Sequence, residues 1–145
     1  MFIADRKAGY QLALSMNDIS YRPDFCIELP SNIDDCYHTV ENLLNLPQPP
    51  TAVVACDDIA ALTLERICVE YGIMVPENLS IISFNNSLLS RISTPQLTSI
   101  NINSFQLGIE AASQIINHIE NPNLLATKII VPHQLIERNS CKTLN

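Results

Sequence analysis

The chain has 145 residues, 47% of them hydrophobic and 16% charged, a composition typical of one folded domain or part of one. Its formal net charge is -7, from 8 basic and 15 acidic residues. This charge argues against binding to nucleic acid or to an anionic membrane, because phosphate binding needs clustered Lys and Arg. No apolar run approaches the roughly 20 residues of a membrane span, so a membrane-spanning segment is not expected.

The first predicted element is a helix over residues 5–16. Its apolar positions are expected to face a sheet: Ala8, Leu12, Leu14 and Met16. A helix that needs a sheet so near residue 1 indicates the trailing part of something longer. Arg6 lies in the first turn, where the helix dipole disfavours a cation. Contact with an anion or hydroxyl would explain this placement, and a solvated ion pair with Asp5 would explain it equally well.

Residues 25–29 are predicted to form a short strand, and residues 30–32 to end it and cap a helix over residues 33–46. His38 falls on the exposed side of that helix. Because no second metal ligand or nucleophile lies at a useful spacing, it is interpreted as a surface histidine.

An unbroken apolar run over residues 52–56 predicts a strand buried on both faces, as in the centre of a parallel sheet. Asp57 and Asp58 follow it, and a helix continues to Tyr71. Ligands of open α/β sheets bind outside the carboxyl ends of the strands, where an Asp also caps the next helix. Only one of the two side chains can hold the cap, so the other is free to face a ligand.

The pattern repeats with a buried strand over residues 80–84 that ends in Asn85 and Asn86. Because β-helix-β crossovers are right-handed and place parallel strands side by side, both polar pairs are expected at one edge of the sheet. Simple turn chemistry is the alternative for the two asparagines, since Asn tolerates left-handed backbone angles.

Residues 87–96 are predicted to be a loop with one helical turn, and residues 97–102 to be extended. The next helix is capped by Asn103 or Ser104 and ends at residues 121–122. Its apolar stripe has clear helical spacing: Phe105, Gly108, Ile109, Ala112, Ile115, Ile116 and Ile119. Strands over residues 128–131 and 134–137, broken by Pro-His, then suggest a chain that passes between two sheets or subdomains.

Several chemistries have no sequence support. The chain has only three glycines, which excludes a phosphate-binding loop, and it carries no catalytic or zinc motif. Its five scattered cysteines, without a C-x-x-C pair, favour reduced thiols of a cytosolic protein over disulfides or a metal site. We therefore expect no enzymatic activity, cofactor or metal. Asp, Asn and Arg together suit a neutral polar ligand such as a sugar.

These residues resemble the lactose/galactose repressor family of transcriptional regulators. Consecutive signature segments match at the family's usual spacing: residues 6–10, 50–58, 75–86, 94–100 and the closing motif 137–140. The resemblance implies an α/β, doubly wound, periplasmic-binding-protein-like fold with two subdomains around an effector cleft. Residues 1–101 would belong to the second subdomain, 102–131 would return to the first, and 132–145 would cross back and form the tail.

The resemblance places Arg6, Asp57 and Asn85 where effectors are commonly bound, with Asp58 and Asn86 as helix or turn supports. We accordingly assign Asp57 to the ligand and Asp58 to the helix cap. A cytoplasmic homodimer is implied, in which cleft closure around a sugar alters operator binding. The helix-turn-helix that reads DNA, most of the first subdomain and the first strand of the second would lie outside this chain, so the chain alone is not expected to bind an operator.

Departures from the family pattern leave the ligand open. Where the family usually has Asn-Asp and Gly-Phe-Asp-Asp, this chain has Asp57–Asp58 and Ser-Phe-Asn-Asn at residues 83–86, so a carboxylate has moved between loops. A maltose or maltodextrin regulator is a first guess. A catabolite-control relative with a protein corepressor is a variant, while a sugar receptor of a transport system and an enzyme on a flavodoxin-like scaffold are the competing classes.

Overall fold

The computed structural model describes residues 2–30 and 32–143. The α-helices are α1 (Phe2–Met16), α2 (Ile33–Leu44), α3 (Asp58–Glu70), α4 (Leu88–Ile92) and α5 (Ser104–Glu120). The strands are β1 (Ala52–Val54), β2 (Ser80–Phe84), β3 (Thr98–Asn101) and β4 (Gln134–Ile136), and one 3-10 turn spans Pro23–Phe25. Within the described ranges, no helix is both long and apolar enough to cross a membrane.

The four strands form one sheet in the order β1-β2-β3-β4. The first three are parallel, with Val53 opposite Ile81 and Ile82 opposite Thr98. β4 returns antiparallel to β3, with Leu135 opposite Ile100. The predicted α/β class is confirmed, and the antiparallel strand at one edge makes the sheet mixed.

The core lies where α2 and α3 pack with the strands and with the segments that lead into them. Its members are fully or nearly fully buried: Cys36, Val40, Ala55, Ala61, Leu64, Ile67, Cys68, Leu79, Ile81 and Leu97. Asn32 begins α2 as predicted, because its side chain accepts a hydrogen bond from the Asp34 amide at 3.2 Å. Ser31, which belongs to the predicted cap, and the last two residues of the predicted tail lie outside the described residues.

The prediction that residues 52–56 are buried on both faces is wrong. β1 is only three residues long and lies at the edge of the sheet, and Val54 remains 56% exposed. An edge strand has a hydrogen-bonded neighbour on one side only. α1 does not cover the exposed face, since Leu12 and Met16 are themselves exposed, contrary to the expectation that they face a sheet. Burial in this run is reached at Ala55.

Two predicted strands are absent from the described part of the chain. Residues 25–29 and 128–131 form no ladder, although both are rich in apolar residues. A strand needs a neighbour to accept and donate its backbone hydrogen bonds, and no described strand pairs with either segment. The predicted strand over residues 134–137 does form, because β3 offers its free edge there.

The long helix α5 forms as predicted but leaves its apolar stripe uncovered. Phe105 is 80% and Ile119 73% exposed, and no residue of α5 is buried. Asn103 occupies the predicted N-cap position at φ 51°, yet its side chain makes no capping hydrogen bond. α5 therefore receives little support from the rest of the described chain.

Candidate functional site

The carboxyl ends of β1 and β2 meet at one edge, because the two strands pair in parallel. Arg6 reaches this edge from α1: its Nη1 donates to the Cys56 carbonyl, and its guanidinium carbon lies 4.3 Å from the centroid of the Phe84 ring. Among the described residues Arg6 forms no ion pair, so the alternative of a pair with Asp5 is not seen. The guanidinium is instead held by a carbonyl and an aromatic face.

Asp57 is the N-cap of α3. Its Oδ1 accepts a hydrogen bond from the Ala60 amide at 2.8 Å, and its backbone is extended. The assignment of the cap to Asp58 is therefore wrong: only the residue that precedes the first helical turn has its side chain placed to reach that amide. The other carboxylate oxygen of Asp57 accepts no hydrogen bond from the described residues, which leaves an acceptor at the strand ends.

Asp58 is 2% exposed and joins three segments. Its Oδ1 accepts from the Ser83 hydroxyl at 2.5 Å and the Ser99 hydroxyl at 2.9 Å, and its Oδ2 accepts from the Ser87 amide at 2.7 Å. Burial acts to raise the pKa of Asp58, but these hydrogen bonds outweigh burial and hold the pKa below its usual range. The carboxylate is thus a charged structural centre beneath the loop after β2.

Sequence reasoning missed the two serines that hold Asp58. Ser83 and Ser99 are fully buried within β2 and β3; Ser83 lies between Ile82 and Phe84, and Ser99 between Thr98 and Ile100. A hydroxyl in such a position needs a partner, which was the available signal. Ser83 also stands where the family pattern usually has Gly, so this hydroxyl is a departure that the structure uses.

Asn85 and Asn86 both adopt left-handed backbone angles, with φ of 97° and 49°. The backbone amide of Asn85 donates to the Ile100 carbonyl at 2.9 Å, and the backbone amide of Asn86 donates to the Ser99 hydroxyl at 3.0 Å. The turn chemistry considered for this pair is therefore present. The side chain of Asn85 forms no hydrogen bond with the described residues.

Arg138 supports the same loop from the C-terminal segment. Its Nη2 donates to Asn86 Oδ1 at 2.5 Å, and its Nη1 donates to the Leu97 carbonyl at 2.6 Å. Sequence reasoning had placed Arg138 in a family motif without giving it a role. Nothing in the local sequence pattern connects it with a loop 52 residues earlier.

Other candidate chemistry does not converge in the described residues. The His38 side chain is 79% exposed, in agreement with its interpretation as a surface residue. No group of three or more His, Cys, Asp or Glu there could hold a metal ion. Two cavities, of about 360 and 270 Å³, are lined by other residues than Arg6, Asp57 and Asn85. The candidate site is the wall that Arg6, Asp57 and Asn85 form at the carboxyl ends of β1 and β2.

Comparisons with known proteins agree on one fold and one class. The periplasmic binding protein-like domain model matches residues 2–141. The HTH-type transcriptional repressor PurR of Histophilus somni (strain 129Pt) is 30% identical over 96% of this chain and 42% of its own length. The chain spans about two fifths of the length of the curated relatives it matches.

Two solved structures extend the comparison. A transcriptional regulator LacI from Bacillus cereus subsp. cytotoxis NVH 391-98 is 37% identical, with a TM-score of 0.91 over 99% of this chain and 51% of its own. A LacI family transcriptional regulator from Enterococcus faecium with bound ribose is 28% identical, with a TM-score of 0.82 over 97% of this chain and 52% of its own. These similar proteins are transcriptional regulators rather than enzymes.

Proposed function

The chain belongs to the periplasmic binding protein-like domain family, and from this premise we propose that it is the C-terminal part of the effector-binding region of a sugar-responsive LacI-type repressor. The observation that carries the proposal is the meeting of Arg6, Asp57 and the loop of Asn85 at the carboxyl ends of two adjacent parallel strands. This is where ligands of open α/β sheets bind.

A sugar suits the groups at this wall. Asp57 has one carboxylate oxygen that can still accept hydrogen bonds from sugar hydroxyls. The side-chain amide of Asn85 can both donate and accept hydrogen bonds. Arg6 adds donors beside them. The bound ribose of the Enterococcus faecium regulator supports the same ligand class in a relative of this fold.

Closure of a cleft is the proposed mechanism. Residues 1–101 would form one wall, residues 102–131 would reach the other subdomain, and residues 132–145 would return. The exposed apolar stripe of α5 supports this division, because Phe105 and Ile119 have no cover in the described chain. For the effector to control operator binding, it must bind one closure state better than the other. The regulator would act as a cytoplasmic homodimer through a separate DNA-reading domain.

A sugar receptor of a transport system would share the fold. The relatives and structures reported above are regulators, which favours the repressor over this alternative.

Calorimetric titration of the complete gene product with mono- and disaccharides tests the proposal. We expect one sugar to bind and to change the affinity of the protein for its operator. Asp57→Asn is the discriminating variant: Asn caps a helix about as well as Asp, so stability should hold while sugar affinity falls. Asp34→Asn, in the first turn of α2, is the matched control. No sugar binding together with no effector-sensitive operator binding would refute the proposal.

A further inference from the structure

Arg138 contacts three elements around the loop after β2. Besides Asn86 Oδ1 and the Leu97 carbonyl, its Nη1 lies 3.3 Å from the Ser90 hydroxyl of α4. Its own backbone amide donates to the Thr98 hydroxyl at 3.0 Å. Through its side chain and its backbone amide together, Arg138 thus connects the loop, the short helix and the start of β3.

The segment that carries Arg138 is itself firmly attached. The Ser140 hydroxyl donates to the Ile81 carbonyl at 2.5 Å, and it accepts from the Thr98 amide at 2.8 Å. The Ile81 amide donates in turn to the Ser140 carbonyl at 2.8 Å. The guanidinium therefore projects from a segment that is fixed between β2 and β3.

The loop is held from two sides by opposite charges. The carboxylate of Asp58 accepts from the Ser87 amide, and the guanidinium of Arg138 donates to the side chain of Asn86. No carboxylate pairs with Arg138 in the described residues, so its charge is directed at neutral oxygens. Hydrogen bonds from a charged donor are stronger than those between neutral groups.

Such support matters because of the backbone of this loop. Positive φ at two successive residues other than glycine is uncommon, and such conformations persist only where the surroundings hold them. Neither Asn85 nor Asn86 is within a helix or strand that would do so. The conformation that presents Asn85 thus depends on groups from distant parts of the chain.

We propose that Arg138 is a positioning residue for the effector site: it fixes the Asn86 side chain and thereby the conformation in which the loop presents Asn85. The inference rests on the proposed function for its ligand, but its effect on the loop does not. The C-terminal segment accordingly contributes to effector affinity without contacting the effector.

Amide hydrogen exchange of the complete gene product tests the effect on the loop. In Arg138→Gln, exchange in peptides covering residues 84–90 should rise by about tenfold, since a charge-assisted hydrogen bond is lost. Peptides from the middle of α3 should exchange as in the wild type. Arg91→Gln, an exposed cation on α4, is the matched control. Arg138→Lys keeps the charge but not the planar fork, so it should give an intermediate rise.

The outcomes separate positioning from general stability. Unchanged exchange in the loop would overturn the inference, and so would an equal rise in the loop and in α3, which is the mark of a merely structural role. If Arg138→Gln does not fold, Arg138→Lys carries the same comparison of loop with α3.

Effector titration supplies the second readout. With a sugar that the wild type binds, Arg138→Gln should weaken affinity by about tenfold, while Arg91→Gln leaves it unchanged. Unchanged affinity in Arg138→Gln would overturn the link to the effector. If the wild type binds no sugar, the proposed function fails, and the exchange comparison still decides whether Arg138 positions the loop.

Discussion

The helices α3 and α5 both carry apolar residues at helical spacing, but α3 buries one face and α5 buries none of its residues. Ile67 and Cys68 of α3 are fully buried, whereas Phe105 and Ile119 of α5 are largely exposed. Both helices form, so the amphipathic pattern decides the local structure in each case. What decides burial is whether another surface lies opposite the stripe. The comparison separates residues that stabilise the described fold from residues that are free to contact another surface.

Truncation of one isoleucine in each helix is the most direct test of this difference. Ile67→Ala should lower the free energy of unfolding by about 2–5 kcal/mol, because it removes fully buried methyl groups and leaves a cavity. Ile116→Ala, at a position 54% exposed, should change it by about 0.5 kcal/mol or less. Urea denaturation of the 145-residue chain, in which the α5 stripe is exposed, measures both by circular dichroism. Equal losses would show that α5 is covered in solution.

Buried polar contacts should show the same contrast. Asp58→Ala leaves two hydroxyls and one amide without their acceptor, so we expect a loss of about 3 kcal/mol. On α5, Glu110 accepts one hydrogen bond, from Gln106 Nε2 at 2.8 Å, in a partly exposed position. Glu110→Ala should therefore cost little. Urea midpoints of the two variants provide the comparison, and a small effect of Asp58→Ala would contradict its structural role.

The sequence predicted most of the packed region and less of its surroundings. β2, β3 and the helices follow from local patterns of apolar residues, and their presence was predicted correctly, although the capping residue of α3 was not. The predictions of strands at residues 25–29 and 128–131 were wrong. A strand forms only where a neighbouring strand can pair with it, and the local sequence does not show whether such a neighbour exists. For the same reason the exposed face of β1 was missed.

The candidate site was predictable to the level of its location. Residues that end two parallel strands must lie at one edge, so Asp57 and Asn85 could be placed together. The roles of Asp57 and Asp58 could not be distinguished, because the cap depends on the residue at which α3 begins, and helix ends are the least certain part of a pattern. The role of Arg138 could not be predicted, because the residues that it contacts are distant in the sequence.

α3 also differs from α5 in carrying a buried acid, Glu65, which should make the stability of the protein depend on pH. Glu65 is 5% exposed and its Oε1 has no hydrogen-bond partner among the described residues. Desolvation raises its pKa from 4.5 to about 7. Between pH 4.5 and about 7, Glu65 is therefore protonated in the folded state and ionised in the unfolded state. The contribution of Glu65 to stability should be greatest below pH 4.5, fall as pH rises to about 7, and then change no further.

Replacement of the acid should remove this dependence. Relative to Glu65→Gln, the wild type should lose about 3 kcal/mol of unfolding free energy between pH 4.5 and 7. Glu120→Gln, at an exposed position on α5, serves as the control and should parallel the wild type. Urea titrations at several pH values measure the difference. Parallel curves for wild type and Glu65→Gln would mean that Glu65 is solvated or paired in solution.

The smallest expected effect concerns how the two helices begin. Asp57→Ala removes the hydrogen bond to the Ala60 amide and should cost about 1 kcal/mol, while Asp57→Asn should cost less because Asn also caps. Asn103 makes no side-chain cap and has φ 51°, where glycine is unstrained. Asn103→Gly should therefore be close to neutral, because relief of the left-handed backbone offsets the greater entropy of the unfolded chain. Urea midpoints decide between them: a loss in Asn103→Gly as large as that in Asp57→Ala would mean that the start of α5 is supported by a contact equal to the cap of α3.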